Sequence, residues 1–97
     1  MIVKLSNSNR KDKKYMVIVD DKKIHFGQKG YDDYILSQGN DDKKRMYIKR
    51  HKVRENWTKS GMKTAGFWSY HLLWNKKTLD DSIKDVERKY NIKIIKI

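Results

Sequence analysis

The sequence contains no cysteine, no proline, only five glycines and no long run of apolar residues. Without cysteine, it has neither disulfide bonds nor thiolate metal sites, and a fold without such cross-links suits a reducing compartment. No stretch approaches the roughly 20 apolar residues of a membrane helix, and no apolar leader follows the first five residues. We therefore expect a protein that works inside a cell and does not insert into membranes.

Acidic residues are scarce compared with basic ones. The 97 residues include 24 Lys and Arg but only 12 Asp and Glu, which gives a net charge of +12. Small soluble domains usually carry a net charge of about 2–8. The excess predicts attraction to a polyanion with salt-sensitive association; charge kept only for solubility is the alternative. A chain of this length predicts a single domain, residues 1–97, with one modest core.

The sequence contains few motifs that indicate a catalytic site. There is no glycine-rich phosphate loop, and the three histidines, His25, His51 and His71, are far apart in the sequence. His71 lies in an apolar segment, where a hydrogen-bonded core histidine is expected. The run Asp20-Asp21 with Lys22-Lys23 is weakly similar to a metal-dependent nuclease site, but a hairpin turn explains it better. The sequence predicts no catalytic residue, no metal, no cofactor and no enzymatic activity.

Periodicity predicts a small α+β domain. Residues 14–27 have the pattern of a β-hairpin, and residues 1–6 and 92–97 have that of terminal strands. Three helices are expected at about 41–56, 65–75 and 78–91, packed on one face of a small antiparallel sheet. The segment 31–37 is ambiguous between strand and coil. Residues 1–13 are interpreted as a flexible arm or an edge strand.

The last helix has the clearest signals. Thr78 precedes Asp81 by three residues, as in a capping box, and Asn91 can end the helix in a left-handed conformation. An apolar stripe follows the helical period and consists of Leu79, Ile83, Val86 and Tyr90. This pattern predicts a surface helix with one buried face.

The basic residues concentrate in residues 41–63, which hold nine basic and three acidic residues. This segment carries half of the net charge in less than a quarter of the chain. Asn40 or Asp41 can cap its helix, on which one row of cations, Arg45, Lys49 and Lys52, lies opposite a second, Lys43, Arg50 and Arg54. Two such rows could meet phosphates across a groove. A solvated charged helix is the alternative, although acidic partners four residues away, such as Asp80 for Lys84 and Asp85 for Lys89 in the last helix, are nearly missing here.

The candidate nucleic-acid contacts extend beyond this helix. Trp57 is flanked by hydroxyls and cations and could stack on a base, although such a ring more often packs on the core. The basic pair before the last helix could extend the surface. The full set of predicted contacts is Lys43, Lys44, Arg45, Lys49, Arg50, Lys52, Arg54, Trp57, Lys59, Lys63, Lys76 and Lys77.

Several segments together resemble a family of small basic proteins of nucleocytoplasmic large DNA viruses, the giant viruses of protists and algae. The segments that carry this resemblance are Lys14–Tyr34, Arg50–Gly61, Lys63–Trp68 and Leu72–Leu79. The similarity covers about residues 14–90. It implies a viral origin and transfers no catalytic residue.

Charge and resemblance together predict a viral protein that binds nucleic acid through phosphate contacts, without sequence specificity. Double-stranded DNA is favoured over RNA, and the expected location is the virion or the interior of the infected cell, in a cytoplasmic virus factory or the nucleus. The alternative is a minor capsid or virion protein that binds other capsid proteins. The oligomeric state is left open.

Overall fold

A computed structural model describes all 97 residues and has four strands and three helices. The α+β class and the three helices are as predicted from the sequence. A short 3₁₀ turn spans Lys59–Gly61, and a π-helical segment, Ser69–Leu73, continues the second helix. The elements are β1 (Ile2–Asn7), β2 (Lys13–Val19), β3 (Lys22–Gln28), α1 (Asp41–His51), α2 (Ala65–Trp68), α3 (Leu79–Tyr90) and β4 (Lys93–Lys96).

The predicted hairpin is formed by β2 and β3, which pair antiparallel. Asp20 and Asp21 make the connection, with φ values of 47° and 67°. Positive φ at both positions gives the turn a twist that matches the strands it joins. The acidic pair that is weakly similar to a nuclease motif is thus a hairpin turn.

The N-terminal segment differs from the arm or edge strand that was expected. The strand order is β3-β2-β1-β4, so β1 lies inside the sheet. It pairs antiparallel with β2 and parallel with β4, which makes the sheet mixed and not wholly antiparallel. Val3 and Leu5 supply the reason, because both are buried in the core and both neighbouring strands satisfy the β1 backbone.

The core lies between one face of the sheet and the helices. Alternate residues of every strand point into it, among them Val17, Ile24 and Ile94. The segment predicted to form an apolar core helix does so, since Phe67, Trp68 and Leu72 are fully buried. The opposite face of the sheet, here called the outer face, carries no helix.

The helix α3 begins and ends where predicted. Thr78 Oγ1 accepts a hydrogen bond from the Asp81 amide at 3.1 Å, and Asn91 is left-handed with φ 53°. Of the two expected ion pairs within the helix, Lys89 lies 3.6 Å from Asp85. The other is replaced, because the carboxylate of Asp80 pairs with Lys96 of β4.

The helix α1 is shorter than expected. It begins after Asn40, whose side chain caps it by accepting from the Lys43 amide, but it ends at His51 and not near Asn56. No residue between His51 and Trp57 supplies an apolar side chain to the core, so nothing holds a further turn of helix in place. No helix in the structure combines the length and apolar character needed to cross a membrane.

Candidate nucleic-acid interface

One buried tyrosine fastens α1 to the rest of the protein. Tyr47 is 6% exposed, and the centroid of its ring lies 4.2 Å from that of His51 and 4.6 Å from that of Trp74. Burial raises the pKa of the Tyr47 phenol to about 12, and its oxygen lies 3.3 Å from Ser69 Oγ. Half-buried Ile48 adds a second apolar contact. The middle of α1 is thereby fixed, while most of its surface faces solvent.

Trp57 closes this aromatic cluster from the loop after α1. Its ring is stacked on Tyr70 with a centroid distance of 3.9 Å, and its Nε1 donates to Glu55 Oε2 at 3.1 Å. The residue is half-buried. One face of the ring is therefore occupied within the protein and does not face a ligand.

The cations of α1 lie on two sides of the helix. The outward row is exposed and consists of Arg45, Lys49 and Lys52. Lys43 and Arg50 line a groove on the other side. Arg54, expected to continue this second row, lies in the turn that follows the helix. The two rows thus have different surroundings, one open and one concave.

Some of the predicted cations already have carboxylate partners. Ion pairs join Lys43 to Asp32, Arg45 to Asp42 and Lys63 to Asp20. Exposed pairs of this kind contribute about 0–1 kcal/mol each, so a phosphate can compete for them. The predicted cations that pair with no carboxylate are Lys44, Lys49, Arg50, Lys52, Arg54, Lys59, Lys76 and Lys77. Four of these fall within residues 49–54.

Lys44 has a structural role. Its Nζ donates to the Asn75 carbonyl at 2.7 Å and lies 4.8 Å from the centre of the Tyr34 ring. Burial, with a smaller effect from nearby Lys76, lowers the pKa of Lys44. This contact brings Lys76 and Lys77 beside the N-terminal half of α1.

Lys59 and Lys63 lie elsewhere. They line a small hollow with Met1 and Val19, and the Lys22 ammonium donates to the Lys63 carbonyl at 3.0 Å. This is the end of the sheet at the hairpin turn. The groove beside α1 lies at the opposite end, where β2 begins, about 20 Å away along a seven-residue strand. The two lysines therefore do not belong to the α1 surface.

Lys13 and Lys14 were not among the predicted contacts, yet they line the groove across from α1. Lys14 is bound to the buried carboxylate of Asp33 at 2.7 Å, which in turn accepts from the Leu36 amide. Lys13 has no carboxylate partner. Only the tertiary fold brings it opposite α1, and no pattern in the sequence marks it.

His71 is the buried histidine expected in the core, and it holds the Trp57 backbone. It is 3% exposed, and its Nε2 lies 2.8 Å from the Trp57 carbonyl and 3.1 Å from the Tyr90 hydroxyl. Its Nδ1 is buried without a partner. The ring is therefore held neutral, with the proton on Nε2. Burial is the main cause that lowers the pKa of His71 from its ordinary 6.5.

Because of this lowered pKa, we expect stability to fall in mild acid. Below pH 6.5 the imidazole of His71 becomes protonated in the unfolded chain but stays neutral in the folded protein. The free energy of unfolding therefore falls with pH until the pKa of His71 in the folded state is reached. The slope from this group is at most about 1.4 kcal/mol per pH unit. His71→Gln, which keeps a donor for the Trp57 carbonyl, should flatten the curve of unfolding free energy between about pH 5 and 7. An unchanged slope would show that His71 does not cause the pH dependence. The pKa of His25 is lowered as well, so His25→Gln serves as a control that measures how much His25 contributes to the slope.

No three of the His, Asp and Glu side chains are grouped so that they could hold a metal ion. The polar groups nearest the groove are instead engaged with one another. Glu55 accepts from the Trp57 indole and lies 3.3 Å from His51 Nδ1. The arrangement presents charged groups that can bind a charged ligand.

Comparison with known proteins gives one relationship. Residues 3–51 match the model of a family described as a family of unknown function, DUF5754. The matched half contains β1 to β3 and α1, and so includes the first cations of the interface but not Lys52 or Arg54. No curated protein and no solved structure matches the chain. The chain thus belongs to DUF5754, a family whose function is unknown.

Proposed function

We propose that this protein binds nucleic acid, duplex DNA in the first place, through phosphate contacts made by the C-terminal end of α1. The observation that carries the proposal is the group Lys49, Arg50, Lys52 and Arg54, four exposed cations within six residues and none with a carboxylate partner. Phosphate contacts supply affinity and orientation but no information about base sequence. The binding should therefore be independent of sequence and strongly dependent on salt.

Helix electrostatics explain part of this group but not all of it. Lys49 and Arg50 lie in the last turn of α1, where cations favour the negative end of the helix dipole. Lys52 and Arg54 lie beyond the last helical residue. The nearby acid, Glu55, is hydrogen-bonded to Trp57, lies against His51 and forms no ion pair with any of the four cations. The four cations outnumber this one carboxylate, so a net positive charge remains at this end of the molecule.

The resemblance to proteins of giant viruses supports a viral setting for this activity. A large viral genome has to be neutralised when it is packaged, and a folded domain with a net charge of +12 suits that task. The proposal accordingly extends to the virion, or to the virus factory or nucleus of the infected cell. It includes no enzymatic step.

A fluorescence-anisotropy titration tests the proposal. A labelled duplex of about 30 random base pairs, a matching single strand and an RNA duplex are titrated with the protein from about 50 to 300 mM salt. We expect submicromolar binding of the DNA duplex at the lowest salt and a steep linear loss in a log–log plot. Absence of binding at about 50 mM salt contradicts the proposal. Tighter binding of the RNA duplex would correct the order of preference.

A second candidate is binding to an acidic protein surface, such as that of another virion component. The outer face of the sheet supports it, because this face carries exposed or half-buried apolar side chains and cations but no carboxylate. The apolar ones are Ile2, Met16, Ile18 and Ile95; the cations are Lys4, Lys23 and Lys93. An acidic partner with apolar side chains would complement both features.

Salt separates the two candidates. Apolar burial survives about 500 mM salt, whereas phosphate contacts do not. If the second candidate is right, the protein co-purifies with capsid components at high salt, and Ile18→Glu on the outer face abolishes this while Lys49→Gln does not. Loss of co-purification at high salt in the unmodified protein would rule it out.

A further inference from the structure

A groove separates α1 from the open end of the β2–β3 hairpin. Its volume is about 800 Å³, within the range of small-molecule sites. The floor is apolar and is made by Phe26, Leu73, Tyr47 and Trp74. One wall is the side of α1 that carries Met46 and Arg50. The other wall is the start of β2, with Lys13.

Two glycines shape this groove. Gly27 has a φ of 76°, a conformation that favours glycine, and a Cβ there would lie 2.6 Å from Leu73 Cδ1. Only a glycine lets the backbone of β3 come this close to the floor. A Cβ on Gly66 would lie 2.8 Å from the Glu55 carboxyl carbon. The glycine therefore lets this carboxylate pack against the wall.

Most charges around the groove are neutralised in pairs. Lys14 binds Asp33, and Lys43 binds Asp32. The remaining carboxylate, Glu55, is held by His51 and Trp57. Two cations of the lining are left without a carboxylate, and they belong to different walls: Lys13 to β2 and Arg50 to α1.

An apolar floor between two free cations suits a ligand that is flat and apolar at one end and anionic at the other. A nucleotide has this form, since its base is apolar on both faces and its phosphate is anionic. The Glu55 carboxylate on the wall can accept hydrogen bonds from the amino group that adenine, guanine and cytosine carry on their edges. An apolar protein segment would match the floor but would leave the two cations unpaired.

Arg50 belongs both to the groove wall and to the proposed phosphate surface. A strand whose phosphates follow residues 49–54 therefore passes the mouth of the groove. A base in a duplex is stacked and paired and does not reach the floor unless it leaves the helix. We propose that the groove binds the base of one unpaired nucleotide, at a strand end, overhang or bulge, with its phosphate between Arg50 and Lys13. This inference rests on the proposed function and adds a preference within it.

The first test compares a blunt duplex with the same duplex carrying a three-nucleotide overhang. A base held on apolar side chains should tighten binding about 10-fold. Ala65→Trp fills the groove from an exposed position of its wall and leaves all four α1 cations, Lys49, Arg50, Lys52 and Arg54, in the sequence. This variant should bind the blunt duplex like the unmodified protein and lose the gain from the overhang. No gain in the unmodified protein, or a gain that the variant keeps, overturns the inference while leaving the proposed function intact.

The second test needs no nucleic acid. Nucleoside 5′-monophosphates are added to ¹⁵N-labelled protein, with ribose 5-phosphate as the control for the phosphate alone. The monophosphates should shift the amide signals of Gly27 and Gly66 and the indole signal of Trp74, and ribose 5-phosphate should not. If no nucleic acid binds in the first test, the proposed function fails, and these signals decide by themselves whether the groove takes a nucleotide. Unmoved signals would reject the site.

Discussion

Replacement of Lys49, Arg50, Lys52 and Arg54 by glutamine should lower the affinity for duplex DNA by about 100-fold or more at about 50 mM salt. Each phosphate contact contributes about 0.9 to the slope of log affinity against log salt. If all four cations touch phosphates, the slope should fall by about 3 to 4. The measurement is the same anisotropy titration, repeated at several salt concentrations.

Glutamine suits this experiment better than glutamate. It keeps a good helix propensity and places no negative charge at the negative end of α1. Loss of Lys49 and Arg50 removes a favourable dipole interaction of about 0.3–1 kcal/mol each. A folded domain should tolerate that loss, and a thermal unfolding curve of the variant verifies it.

The matched control removes four cations elsewhere. Lys4, Lys23, Lys84 and Lys93 are exposed and have no carboxylate partner. Their replacement by glutamine changes the net charge of +12 by the same four units. If affinity depends on total charge alone, the two variants will weaken equally, and the α1 surface is then not the interface. A loss confined to the first variant supports it.

Local signals predicted the parts of the fold that are decided locally. The β-hairpin follows from a β-branched strand, an acidic turn and a second strand, all contiguous in the sequence. The helix α3 is fixed by its own cap at Thr78 and by its own stripe. In both cases the residues that determine the structure are close neighbours in the sequence. The sequence alone is therefore enough to predict these two elements.

The features that the sequence did not predict depend on distant residues. The end of α1 is set by the return of Trp57 onto Tyr70, thirteen residues further along the chain. The parallel pairing of β1 with β4 joins the two ends of the chain. Local sequence patterns do not show which of these distant residues come into contact in the folded protein.

The candidate site shows the same division. The basic segment is evident from composition, because residues 41–63 hold nine basic and only three acidic residues. The inclusion of Lys59 and Lys63 followed from their closeness along the chain, but the fold sends them to the other end of the sheet. The groove itself, and the place of Lys13 in it, arises from elements about thirty residues apart.

Tyr47→Ala should cost about 3–5 kcal/mol of unfolding free energy, the range for removing a large buried aromatic side chain. A domain of this size has about 5–15 kcal/mol in total, so the melting temperature should fall by at least about 12 °C. The effect is large because Tyr47 stacks on both His51 and Trp74. Thermal and urea unfolding measure it directly.

The same variant links stability to binding. Since α1 has few other apolar contacts with the core, its amides should lose protection from hydrogen exchange before those of the sheet do. The cations at its end would then no longer be held in place, and DNA affinity should fall although no charge has changed. Met46→Ala, at a position 58% exposed on the same helix, should change stability by no more than about 0.5 kcal/mol. If Tyr47→Ala leaves α1 protected and DNA affinity unchanged, α1 is held by contacts other than this ring, and the aromatic cluster does not organise the interface.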